Sequence, residues 1–112
     1  MSNRKVPDSI VALTKEFVSE IGKLYKERLN KVILFGSYAR GEQTEESDVD
    51  YLVVLNDEEI RSYTEISKMS DVTFELSLKY GISVSAVPAS QPKFENKLSP
   101  LMFNVHEDGI EL

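Results

Sequence analysis

Two short runs constrain what this chain can fold into. KVILF (Lys31 to Phe35) and VDYLVVL (Val49 to Leu55) consist mostly of β-branched, aromatic and leucine side chains, and a glycine ends the first. Beyond its aspartate the second run is apolar on both faces, which suits a strand in the middle of a sheet covered on both sides. A helical pattern precedes them. From Asp8 to about Leu29, apolar residues recur at Ile10, Leu13, Phe17, Ile21 and Leu24, with Asp8 or Ser9 as N-cap and Asn30 as the stop. After the second run, Asn56 or Asp57 caps a helix that carries Ile60, Tyr63, Ile66, Met69, Val72, Leu76 and Tyr80 inward and stops at Gly81. A third strand, ISVSAV (Ile82 to Val87), alternates small polar and apolar residues until Pro88. Ser90 and Pro92 open a short helical turn. Ser99 and Pro100 start a last helix with Leu101, Met102 and Val105 on one stripe, ended by Gly109. The order predicts an α/β layer fold with a small mixed sheet of three to four strands flanked by helices.

A chain of 112 residues has room for one core, so residues 1–112 are expected to form a single domain. No apolar run approaches the length of a membrane span, and MSNRKVPD lacks the apolar core of a signal peptide. With no cysteine, the expected compartment is the cytoplasm, and disulfides, thiolate catalysis and cysteine-ligated zinc are all excluded. The formal charge of -6 argues against direct DNA binding, which needs a clustered basic surplus. An acidic protein handles nucleotides when a divalent cation supplies the positive charge. The basic stretch KLYKERLNK (Lys23 to Lys31) falls at a helix end, where the dipole favours cations.

The chemistry lies between the two strands, in GSYARGEQTEESDVD (Gly36 to Asp50). A strand ending in Gly36 and turning into Ser37 and a short helix presents backbone N–H groups and a hydroxyl where an anion is stabilised, and Gly36 has no Cβ to hold a phosphate away. The plainer alternative is a tight turn with Ser37 as its N-cap. The spacing is not that of a P-loop, and the P-loop lysine is missing. Asp48 and Asp50 stand two apart, so on a strand they share one face with their bases roughly 7 Å apart. Two same-facing carboxylates repel unless a cation lies between them, and oxygen-only ligation suits a hard ion such as Mg²⁺. Taken alone, DVD is equally compatible with turn chemistry.

Together, FGSYARG and SDVDYLVV resemble the GS and DxD signature of the DNA polymerase β-like nucleotidyltransferase superfamily. The short length is similar to that of the minimal nucleotidyltransferases (MNT proteins), many of which are paired with a HEPN-domain protein as antitoxin and toxin. The resemblance implies the nucleotidyltransferase fold and transfer of a nucleoside monophosphate, AMP from ATP, to a hydroxyl of a partner protein. It implies Ser37 with Gly36 on the phosphates and Asp48 and Asp50 as catalytic ligands of Mg²⁺, with Mn²⁺ as the alternative ion. Arg40, on the same helical side as Ser37, is within reach of a phosphate, or equally of Glu45, Glu46 or Asp48. It also implies a HEPN-type partner; a homo-oligomer stays open.

One position departs from the family. Active members carry a third carboxylate on a following strand, in a pattern like VDLV. Here the matching stretch is VSAV (Val84 to Val87), with Ser85 at the aspartate's place and Ser83 on the same face. A serine is a poor general base and a weak metal ligand. The expectation is therefore a nucleotidyltransferase, with a catalytically weak or inactive nucleotide-binding module that neutralises its partner by occlusion as the alternative. Glu75, His106 and Glu107 stay outside the catalytic set, because nothing in the sequence brings them to the site.

Overall fold

The computed structural model describes all 112 residues, Met1 to Leu112. Helix α1 (Val11–Tyr25) leads into β1 (Leu29–Phe35), a four-residue helix α2 (Ser37–Arg40) and β2 (Val49–Leu55). Helix α3 (Ser62–Tyr80), β3 (Val84–Ser90), α4 (Gln91–Glu95), α5 (Pro100–Asp108) and a short β4 (Ile110–Glu111) follow. The sheet runs β3-β2-β1-β4; β1 pairs antiparallel with β2 and β4, and β2 pairs parallel with β3. The two apolar runs are thus its central strands. No helix is long and apolar enough to cross a membrane.

Each face of the sheet has its own core. Leu34, Tyr51 and Val53 point to the side of α1 and α3, where Phe17, Ile21, Met69 and Leu76 are buried with them. Ile33, Leu52 and Val54 point the other way, against Phe94, Met102 and Val105 of α4 and α5. Alternation along two strands therefore divides one apolar sequence between two layers. Tyr51 stacks on Phe17 with ring centroids 4.1 Å apart and shares a 2.7 Å hydrogen bond with the Thr14 hydroxyl. Burial pushes the phenol up to about 12.

Several boundaries differ from the sequence expectation, each for a tertiary reason. The first helix stops at Tyr25, because Leu29 and Lys31 already pair with Leu55 and Val54 in the sheet. Its start follows a 3₁₀ turn over Asp8–Ile10, and neither Asp8 nor Ser9 caps it. Asn56 and Asp57 do not cap α3, since both are occupied: Asn56 Nδ2 donates to the Glu27 carbonyl and Arg28 grips Asp57. Helix α3 accordingly starts at Ser62, and Tyr63 and Ile66 are exposed rather than inward. Leu101 likewise is exposed while Met102 and Val105 are buried. Strand β3 is shifted to Val84–Ser90 and runs through Pro88, which an edge strand tolerates where no ladder donor is needed.

The basic cluster also has a role that the helix-end reading missed. Arg28 donates to both oxygens of Asp57 at 3.1 Å and to Glu65 Oε2 at 2.9 Å. Glu65 is buried, and its Oε1 has no hydrogen-bond partner. Arg28→Ala leaves that carboxylate buried without its main counter-charge and should cost about 2 kcal/mol in a urea titration. A loss under a few tenths would mean that water already solvates Glu65.

Candidate active site

At the end of the central hairpin, Phe35 stands opposite Asp50, and one step on the chain turns at Gly36 with φ +77°. A Cβ at Gly36 would lie 2.5 Å from Asp50 Oδ2. The glycine is therefore required twice, by the backbone angle and by the carboxylate resting over it. Sequence reasoning gave Gly36 to phosphate approach; its nearest neighbour is the aspartate, so the corner and the acidic pair form one construction.

Gly36 occupies the N-cap of α2, which puts Ser37 one place inside the helix and removes the alternative in which Ser37 is the cap. The Gly36 carbonyl takes the N–H groups of Ala39 and Arg40 at 3.1 and 3.2 Å. The first amides, of Ser37 and Tyr38, precede any intrahelical acceptor. Gly36→Ala should cost about 2 kcal/mol through its strained angle and displace the Asp50 carboxylate. The expected readings are a lowered thermal midpoint and a weakened calorimetric signal for Mn²⁺ binding; unchanged Mn²⁺ binding would show that Asp50 is not positioned by this contact.

Asp48 is exposed just before β2, and Asp50 is half-buried within it. Burial and then the negative charge of Asp48 push the Asp50 carboxyl above its ordinary value, while Arg40 draws it back. The three groups thus act on one another. Arg40 pairs through Nε with Glu42 at 3.5 Å, not with Glu45, Glu46 or Asp48. Sequence reasoning missed Arg4, whose Nη1 donates to the Arg40 carbonyl and so holds the far end of α2. A contact between residues 36 apart leaves no local signal.

Ser85 is the register partner of Asp50 in the parallel β2/β3 pair, so the two side chains stand side by side on one face. No group of three His, Cys, Asp or Glu residues suited to a metal exists in the chain, so nothing replaces the missing carboxylate. Glu75 and Glu107 are exposed. His106 stacks on Phe94 and its Nε2 donates to the Phe94 carbonyl at 2.7 Å, a structural tie between α4 and α5.

Two clefts flank the acidic pair. One, of about 370 Å³, lies between α3 and β3 and includes Asp48 and Ser85. The other, of about 190 Å³, lies between the Gly36 corner and α5 and includes Phe35, Arg40 and Asn104.

A glycine corner and an acidic pair at the start of the next strand thus meet at one end of a mixed four-stranded sheet. The family model for the nucleotidyltransferase domain matches residues 14–108, and the chain belongs to that family. A relative in Methanocaldococcus jannaschii, named as an inferred protein adenylyltransferase, is 40% identical over 96 residues, covering 85% of this chain and 89% of the relative. A second protein of that organism with the same designation is 42% identical over 78 residues, covering 70% of this chain and 77% of its own. A solved structure described as an inferred minimal nucleotidyltransferase superposes over the whole of both chains with TM-score 0.63 and 25% identity. The crystal structure of a toxin-antitoxin with AMP-PNP shares the fold, with TM-score 0.58 and 20% identity, covering 85% of this chain and 68% of that one.

Proposed function

We propose that this chain, as a single cytoplasmic domain, transfers AMP from ATP to a hydroxyl of a partner protein, and that the partner is a HEPN-type toxin for which it serves as antitoxin. The observation that carries this is the contact of Asp50 with Gly36, which joins the acidic pair to the phosphate corner. The designations of the Methanocaldococcus jannaschii relatives support AMP and a protein acceptor. The shared fold of a toxin-antitoxin with AMP-PNP supports the pairing.

The donor set fits a hard divalent cation: two carboxylates, no nitrogen or sulfur ligand, and an Asp50 raised by burial and then by repulsion from Asp48. Asp48 and Asp50 would hold Mg²⁺, or Mn²⁺, and the ion when bound would neutralise phosphate charge. Ser37 and Arg40 would bind the outer phosphates, for which Arg40 must exchange its exposed Glu42 partner. The acceptor oxygen forms a bond to the α-phosphorus as the bond to the bridging oxygen breaks. Pyrophosphate leaves with that electron pair, and the hydroxyl proton passes to water or to a carboxylate. With no third carboxylate present, catalysis rests on positioning and charge.

The test is transfer of label from α-labelled ATP to the product of the neighbouring gene, if it is a small helical HEPN-type protein. Asp48→Asn should abolish the label. A partner left unlabelled after long incubation with Mg²⁺ and with Mn²⁺ would sink the transferase.

Ser85 beside Asp50 favours a second reading, a nucleotide-binding antitoxin that neutralises by occlusion. It requires that Asp50→Asn lose Mg-nucleotide binding and still protect cells from the partner. Loss of protection with this variant would favour the enzyme.

A further inference from the structure

The two clefts differ in chemistry, and the difference assigns them different occupants. The narrower one offers an aromatic ring, a cation and an amide in Phe35, Arg40 and Asn104, next to the Gly36 corner, with the one carboxylate of Asp108 offset by Arg40. The wider one has no aromatic and no cation; Ser70 and Thr73 of α3 stand beside an aliphatic floor of Ile66, Met69, Val84 and Ala86, and Asp48 closes its end. A base has nothing there to stack on, and a triphosphate would meet only negative charge.

The wider cleft has what an extended polypeptide needs. Strand β3 is an edge of the sheet. Its Ser83 carbonyl accepts from Val49 N–H at 2.9 Å, so odd-numbered residues face β2 and Val84, Ala86 and Pro88 face outward. Val84 N–H is taken by Ser77 Oγ at 2.9 Å, and Pro88 has none. Ala86 alone of these three presents both an N–H and a carbonyl to a new strand, and it lines the cleft two residues above Val84.

We propose that the cleft between α3 and β3 is the acceptor site, where an extended segment of the acceptor protein pairs with Ala86 and points a hydroxyl side chain at the acidic pair. This deepens the transferase proposal and rests on it. Pro88 stops the pairing, which confines the segment to the end of β3 beside Asp48, where a transferable hydroxyl has to be. The paired stretch is short, about three residues, so the remaining affinity must come from a wider surface. Exposed apolar side chains on α3 continue the groove outward: Ile66 is 48% exposed, Phe74 65% and Tyr63 86%. Such a row on an acidic protein suits a folded partner around the extended segment. The nucleotide, by exclusion, enters from the Gly36 side.

The experiment is amide NMR of the ¹⁵N-labelled chain, titrated separately with Mg·AMP-PNP and with a capped peptide Gly-Val-Tyr-Val-Thr-Gly. The peptide should shift and slow the exchange of the Ala86 amide and move Ser70 and Thr73; Mg·AMP-PNP should move Gly36, Ser37 and Asn104. Ser70→Arg, on an exposed helix surface, should weaken the peptide at least about tenfold by filling the groove. Mg·AMP-PNP moving Ser70, Thr73 and Ala86 would give the cleft to the nucleoside and overturn the proposal. So would a peptide that leaves Ala86 unmoved up to roughly millimolar concentration. If Mg·AMP-PNP binds nowhere, the transferase reading fails, and the Ala86 result still decides whether this edge takes a peptide.

Discussion

Asp50→Asn should raise the thermal midpoint of the metal-free protein by a few degrees while removing divalent-cation binding and lowering any transfer about a thousandfold or more. Burial and Asp48 both disfavour the ionised Asp50 carboxyl, so its value in the folded state lies above the unfolded one. A group raised in this way favours folding when protonated. Its contribution is complete below the ordinary carboxylate value and is lost as pH rises through the raised value. Asparagine copies the protonated form at every pH, so the gain should be largest near neutrality and vanish in acid. Wild-type Mn²⁺ binding runs the opposite way and should fade, as pH drops, at a higher pH than for an ordinary aspartate. Melting curves and Mn²⁺ calorimetry across pH 4 to pH 8, a window set around the carboxylate range, check both. A variant less stable than wild type at neutral pH would show that the Asp50 carboxylate is held by hydrogen bonds the repulsion does not outweigh. A gain in stability from losing a functional group is what a site under electrostatic strain predicts.

Much of this site was legible because its parts are local. Gly36, Ser37, Asp48 and Asp50 sit within fifteen residues, and the β1/β2 hairpin brings the Gly36 corner back beside Asp50, with Asp48 two residues earlier. The two central strands were equally plain, since both faces of β2 are apolar and only a covered position accepts that. Several of the misreadings involve partners far along the chain. Asn56 and Asp57 look like helix caps until Glu27 and Arg28 take them. Tyr63 falls on an apolar helical period but is exposed. Pro88 marks a strand's end by propensity and is instead accommodated on an outer edge. The short β4 was not located, because Ile110 and Glu111 are a strand only by pairing with Leu34 and Ile33. The Gly36 contact with Asp50 belongs with these: the glycine was conspicuous, and the atom it makes room for was not.

Ser85→Asp should increase transfer by about a hundredfold, the scale on which an added general base or metal-holding carboxylate acts. In the β2/β3 register Ser85 stands directly beside Asp50, on the same face of the sheet. An aspartate there would bring a third carboxylate to the cation and to the hydroxyl of an acceptor paired along the β3 edge. Without metal the same change should destabilise, because three negative charges would share one sheet end and raise Asp50 further. The signature is therefore a lowered midpoint in chelator that Mn²⁺ restores beyond its effect on wild type. Rate and melting separate two accounts of the serine. Restoration by Mn²⁺ together with faster labelling would mean that this chain keeps the family's geometry and lacks one ligand. Restoration without faster labelling would mean that the cation is held well enough already and that occlusion, not turnover, is the task. If Mn²⁺ restores nothing, the Ser85 position does not face the bound ion, and placing the missing carboxylate at Ser85 is wrong.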